Sequence, residues 1–225
     1  MSPRGAQVWP AGKGAWMTTP LRALALVCSL KPSPAESSTH LIASQVLEAL
    51  ADHEVSGELI RVVDHDVKPG VDKDMGEGDA WPAIRDKVLA ADVLVMATPT
   101  WMGQASSVCM RVLERLDAEL SELDEQGRPS VFGKVAVVAV VGNEDGAHHI
   151  ASQVFQALND VGFSIPAQAA TYWNGEAMHG TDYKDLEQTP EATAGINATV
   201  AANAAHLARL LSGANYPGEA AEERS

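Results

Sequence analysis

The chain has 225 residues and 46% hydrophobic content, and its 30 acidic against 16 basic residues give a formal net charge of −14. That balance argues against a nucleic-acid footprint and against anionic membrane surfaces, and the length suits one domain with a single substantial core. The two cysteines, Cys28 and Cys109, are too few for a disulfide framework and form no C-x-x-C pair, so a reducing cytoplasm is the expected setting.

Residues 1–20 are rich in Gly and Pro without periodicity and read as a disordered extension, with Met17 as an alternative start. The apolar run Ala23 to Cys28 follows Arg4, Lys13 and Arg22 but is too short for a signal-peptide core, and no window approaches the ~18 apolar residues of a bilayer span. Neither export nor membrane insertion is expected. Leu24, Leu26 and Val27 read instead as a buried parallel strand that stops at Cys28 and Ser29. The loop that follows offers the hydroxyls of Ser29, Ser33, Ser37, Ser38 and Thr39, and a helix opening near Ser38 would turn its unpaired N–H groups toward them. Such a junction favours a phosphate at the carboxyl end of a strand, where open α/β sheets bind nucleotides and flavins.

Apolar residues Leu41, Ile42, Val46, Leu47 and Leu50 predict a first helix over 39–52, closed by Gly57. Glu58–Val63 reads as an edge strand with Glu58 and Arg61 toward water, and 64–79 as a long functional loop. A short helix over 81–91 leads to a buried strand over 92–97 and the turn Thr98-Pro99-Thr100-Trp101-Met102-Gly103. The spacing then predicts one helix over 104–124, with Val108, Val112, Leu116, Leu120 and Leu123 inward and Asp117, Glu119, Glu122 and Asp124 solvated. Val135–Val141 is another buried strand, ending in a Gly142–Gly146 turn. After a helix through Ile150 and Leu158, 163–171 reads as the opposite edge strand, since Pro166 would break a central ladder. A polar loop over 172–189, a final helix over 191–211 and a loose acidic tail over 213–225 complete the chain. Five strands alternating with five helices imply a flavodoxin-like three-layer sandwich over 21–212, its five-stranded parallel sheet in the order 2-1-3-4-5.

These residues carry a family resemblance. The Ser-rich loop, Pro99-Thr100-Trp101-Met102-Gly103 and Val140-Val141-Gly142-Asn143-Glu144-Asp145-Gly146 resemble the FMN-dependent NAD(P)H oxidoreductases of the flavodoxin-like superfamily, including WrbA-like quinone reductases. The resemblance covers nearly all of 21–211. It implies that the first loop wraps the FMN phosphate, that Pro99 to Gly103 support the isoalloxazine ring, and that Gly142, Asn143, Glu144 and Gly146 line its other side. The first loop departs from the family's Gly-rich G-S-x-R-x-x-S/G-x-T pattern, with Cys28 where Gly is common and Pro32 and Pro34 stiffening the turn. The resemblance also points to a homodimer or homotetramer, for which Trp81, Trp173 and Met178 could furnish apolar contacts.

The flavin carries the chemistry, so no catalytic acid or base is expected. Nothing reads G-x-G-x-x-G after a strand, so NAD(P)H would share the flavin's pocket as co-substrate. The expected activity passes hydride from NAD(P)H through FMN to a quinone or similar small acceptor; the alternative is an electron carrier, a flavodoxin proper, docking on redox partners through its acidic surface. The phosphate falls to Ser37, Ser38 and Thr39, with Ser29 and Ser33 as the other choice, and Lys31 is either a phosphate contact or merely solvated. His148 and His149 lack helical ligand spacing for a metal. Cys28 lacks the C-x5-R of low-molecular-weight tyrosine phosphatases, having Pro34 at that place, and reads as a packed strand residue.

Overall fold

The computed structural model describes residues 20–176 and 179–218. The expected N-terminal extension, save Pro20, therefore lies outside the described residues, as do Met178 and 219–225 of the expected tail. Strand β1 (Leu21–Val27) leads to α1 (Ser38–Ala51), β2 (Val55–Arg61), α2 (Trp81–Ala90) and β3 (Val93–Trp101). Then come β4 (Gln104–Ala105), α3 (Ser107–Leu116), β5 (Val135–Gly142), α4 (Ala147–Asp160), β6 (Ala170–Asn174) and α5 (Glu191–Gly213). Five strands pair in parallel in the order β2-β1-β3-β5-β6, and β4 turns back antiparallel on the end of β3. Omitting that two-residue ribbon, the order is the expected 2-1-3-4-5.

Strand alternation divides the interior. Leu24, Leu26, Leu94, Met96, Val138 and Val140 face α2, α3 and α4, and their neighbours Ala23, Ala25, Val95 and Ala139 face α1 and α5. The second face is lined with alanine on both sides, including Ala201, Ala204, Ala205 and Ala208 of α5, which lets helix and sheet approach closely. Register places Val27 opposite Ala97 and Pro99 opposite Val141, so the loops after β1, β3 and β5 share one edge. The join between β1 and β3 is the hydroxyl of Ser106. It donates to Cys28 O at 2.6 Å and accepts from Cys109 N at 3.1 Å as the N-cap of α3, while Ser106 N donates to Thr98 Oγ1 at 3.1 Å.

Several expectations are corrected. Gly57 lies inside β2 rather than closing α1, and Arg61 is 8% exposed rather than turned to water. The helix expected over 104–124 ends at Leu116 and tightens into a 3-10 turn over 117–120, leaving Leu120 and Leu123 exposed. The cause is Glu119, expected on the solvated face but fully buried, where it accepts from Arg85 Nε at 2.5 Å and Nη2 at 3.0 Å. The last strand lies over 170–174 instead of 163–171. Ser164 does bridge to Val135, but Pro166 offers no N–H and Gln168 takes a φ of 53°, so the ladder resumes only beyond them. Trp81 is completely buried and unavailable to an interface.

Trp81 packs beneath the anchor of the long 64–79 loop. Arg115, itself fully buried, meets Asp79 Oδ2 at 2.7 Å, donates to Lys68 O and Asp72 O, and lies 5.6 Å from the Trp81 ring centroid. Burial opposes ionisation of Asp79. Hydrogen bonds from Met75 N–H, the Arg115 guanidinium, and the Trp81 and Lys68 N–H groups prevail, and hold its carboxyl at about 2 against an ordinary 3.8. A depressed folded-state value contributes stability that is present above the unfolded value and lost as pH falls through the folded one. This contribution is therefore expected to disappear between pH 3.8 and about 2. Arg115→Met strands the buried carboxylate and should cost about 3–5 kcal/mol in urea denaturation near neutral pH; a loss under about 1 kcal/mol would deny the pair its anchoring role.

Candidate functional site

The loops gathered at the C-terminal ends of β1, β3 and β5 enclose a cavity of about 360 Å³. Larger hollows of about 590 and 510 Å³ run along the β6 and β2 edges of the sheet. The smaller cavity is the candidate because it sits where the strand order reverses, between β1 and β3, with convergent polar groups at one end.

Its polar end is the mouth of α1. Ser37 is the N-cap, accepting from His40 N at 3.2 Å, and Ser38 and Thr39 open the helix with N–H groups that have no intrahelical acceptor. Ser38 Oγ accepts from Lys184 N at 3.2 Å, so the Ser37 and Ser38 hydroxyls both keep their own protons to donate. Ser29 and Ser33 are committed elsewhere. Ser29 Oγ donates to Lys31 O at 3.2 Å, and Ser33 donates to Asp64 through N at 2.7 Å and Oγ at 2.6 Å. Those two bonds, the hydroxyl first, hold the Asp64 carboxyl below its ordinary range. Ser29 and exposed Lys31 line the cavity, and Ser33 does not.

Pro99, Thr100 and Trp101 form one wall, and Gly142 and Asn143 face them across the β3–β5 join. Thr100 Oγ1 is buried there without a hydrogen-bond partner. A Cβ on Gly142 would stand 2.7 Å from Thr100 Cβ, so only glycine permits this approach. Met102, Gly103, Glu144 and Gly146 lie behind the wall instead of on the cavity. Met102 and Gly103 carry φ of 52° and 70°, as a two-residue type I′ hairpin between β3 and β4 requires. Glu144 Oε1 accepts from Met102 N at 2.8 Å, and Gly146 packs its α-carbon on the Gly103 backbone. These residues aim Trp101, which is 50% exposed at the cavity's rim.

Sequence reasoning missed the roof's residues. Within the expected 172–189 loop, Asp182, Tyr183 and Lys184 close the cavity. Asp182 is tied to Asn143 Nδ2 at 3.2 Å, and Tyr183 donates to Gln45 Oε1 at 2.6 Å while Trp173 packs on its ring at 5.4 Å. Burial raises the Tyr183 hydroxyl above its usual pKa, and its hydrogen bond to Asp185 raises Lys184. No periodicity singles out such a strap. The 64–79 loop, by contrast, lies on α3 and contributes nothing to the cavity. His149 meets Gln104 and His148 packs on Tyr172.

A family profile describing NADPH-dependent FMN reductases matches residues 21–177, the stretch from β1 through the cavity loops. The chain belongs to this family. Family membership carries FMN as cofactor and NAD(P)H as reductant, and it makes the chain an oxidoreductase of the flavodoxin-like fold. The chain is 34% identical over 209 residues to 8-demethyl-8-aminoriboflavin-5'-phosphate synthase of Streptomyces davaonensis, covering 87% of this chain and 80% of that protein. It is 41% identical over 169 residues to the divalent metal cation transporter MntH of Mycobacterium bovis, a match over 73% of this chain that spans only 25% of that protein. Among solved structures, RosB with the bound intermediate 8-demethyl-8-formylriboflavin-5'-phosphate superposes with a TM-score of 0.79 at 32% identity, covering 87% of this chain and 82% of that one. No helix among the described residues is long and apolar enough to cross a membrane.

The residues present fit a flavin phosphate. Hydroxyls and free helix N–H groups at one end are donors of the kind an anion takes, and the unpartnered buried hydroxyl of Thr100 sits at the other end. The wall's geometry can be tested without ligand: Gly146→Ala puts a side chain at φ 143° and within 2.8 Å of Gly103 Cα. Strain there should cost about 1–3 kcal/mol in urea denaturation, and wild-type stability would mean that the Gly103 turn yields freely.

Proposed function

We propose that this chain passes hydride from NAD(P)H through bound FMN to a quinone or similar small acceptor. The observation that carries this reading is the cavity, with an anion-type donor set and an apolar wall at its two ends. Ser37, Ser38 and Thr39 hold the phosphate, with Lys31 beside them. The committed protons of Ser29 and Ser33 favour this choice over the alternative. Pro99, Thr100 and Trp101 support one side of the ring system and Gly142 and Asn143 the other, with Thr100 Oγ1 offering a hydrogen bond to a polar edge. When bound, FMN supplies the hydride chemistry, which leaves the protein to bind, orient and exclude water. The Asp182–Lys184 strap covers one flank. The rim keeps exposed apolar surface, with Leu30 at 44% and Trp101 at 50% exposure and Met102 at 88% just behind the wall, which favours cover by a neighbouring subunit in a homodimer or homotetramer. Light scattering coupled to gel filtration tests this: a monomer with full turnover would leave the strap as the only roof.

A second reading is favoured by the similarity to a synthase of an aminoriboflavin phosphate and to RosB holding a formylriboflavin-phosphate intermediate: here the flavin phosphate would itself be the molecule transformed. One experiment separates the two. Purified protein is given stoichiometric FMN, excess NAD(P)H and a simple quinone, and in a parallel sample FMN with an amino acid as amine donor under air, and both nucleotide oxidation and flavin identity are followed by chromatography. Many turnovers with FMN recovered unchanged are expected; consumed FMN would favour the second reading, and no oxidation would remove the first. In binding assays, Ser37→Ala/Ser38→Ala/Thr39→Ala should weaken FMN by a few kcal/mol, at about 1–3 per hydrogen bond to a charged group. An unchanged dissociation constant would move the phosphate elsewhere.

A further inference from the structure

We propose that Arg61 is a positioning residue that gives the phosphate end of the cavity its preference for a dianion, and so sets the choice of FMN over riboflavin. The inference rests on reading that cavity as the flavin site.

Arg61 ends β2, in register with Val27 at the end of β1, directly behind the 29–37 loop. Its Nη1 donates to Ala35 O at 2.7 Å and to Lys31 O at 3.5 Å. Its Nε is buried and has no partner. Among the described residues no carboxylate forms an ion pair with it. Asp64 feels its charge but spends both oxygens on Ser33. A guanidinium taken out of water without a counter-ion is costly, and an anion bound on the far side of the loop would supply one.

The hydrogen bonds give the charge a direction. A planar trans peptide points its N–H opposite to its C=O, so drawing Ala35 O onto Arg61 turns Glu36 N–H the other way, and Glu36 lines the cavity. A cation on the carbonyl also polarises that amide and strengthens its N–H as a donor. Asp64 complements this by taking the Ser33 donors out of the loop's interior. Arg61 thus acts through the loop, lining the hollow along the β2 edge and not the phosphate cavity itself.

Calorimetric titration of the full chain with FMN and with riboflavin tests the proposal. Arg61→Met is expected to weaken FMN about 10- to 100-fold while leaving riboflavin within about threefold of wild type, the loss of one interaction with a charged group. Arg61→Lys, which keeps the charge but not the fork, should retain part of the FMN affinity and carries the test if Arg61→Met does not fold. Inorganic phosphate should raise the melting temperature of the wild type and not of Arg61→Met. Unchanged FMN affinity in either variant, or equal losses for FMN and riboflavin, would overturn the proposal. A wild type that binds neither FMN nor phosphate would instead overturn the flavin reading beneath it.

Discussion

The cavity exists because β1 ends opposite Ala97 while β3 runs on to Trp101, and a single buried hydroxyl ties the two strands where they part. Ser106 binds the carbonyl of Cys28, the last residue before the first loop, and caps α3 through Cys109 N, while its own N–H reaches Thr98 on β3. A serine in this place satisfies a strand end and a helix start together, both of which would otherwise leave backbone groups unpaired in the interior. The hairpin of Met102 and Gly103 follows from it, because α3 can begin at Ser107 only if the chain reverses within β4. The wall, the Glu144 contact and the glycine at 146 all serve that reversal.

Much of this was legible in the sequence where one-dimensional signals are local. The apolar runs of β1, β3 and β5, the glycine-bearing turns after them and the hydroxyls at the start of α1 each declare themselves within a few residues. What escaped depended on partners distant in sequence. Arg61 alternates with apolar neighbours as a solvent-facing residue would, and only the return of the 29–37 loop over it buries it. Glu119 looks like part of a charged stripe until Arg85, on another helix, supplies its fork. Pro166 correctly signalled an edge, yet the ladder it interrupts resumes beyond it, which no propensity specifies. Trp81 illustrates the converse, an aromatic beside a polar loop that proved to be the floor on which that loop is anchored.

The two long polar loops do different work. Residues 64–79 are bound to α3 through Arg115 carbonyl contacts and the Asp79 ion pair, so their order belongs to stability. The 175–189 stretch touches α1 through Tyr183 and Lys184 and the β5 loop through Asp182, all at hydrogen bonds partly open to water. Such contacts are the kind that open at low cost, which suits a strap over a pocket that must admit a second reactant.

On the flavin reading, a formal charge of −14 opposes a phosphate only at long range. Salt screens exposed charges beyond about 8 Å at physiological ionic strength, so the acidic surface sets a weak background while groups near the cavity decide. There the balance is mixed. Lys31 and Lys184 stand at the polar end with Glu36 and Asp182, and Lys184 is already engaged by Asp185 and, at 3.9 Å, by Glu36. Exposed pairs of this kind contribute little net field. On the proposal above, the hydroxyls, the helix mouth and the Glu36 N–H turned by Arg61 act at hydrogen-bond range in a less polar setting, where directed donors outweigh mobile charges. On that reading recognition of a phosphate is a property of backbone orientation, and a proline-stiffened loop without the usual glycines is compatible with it because Arg61 holds its orientation from behind.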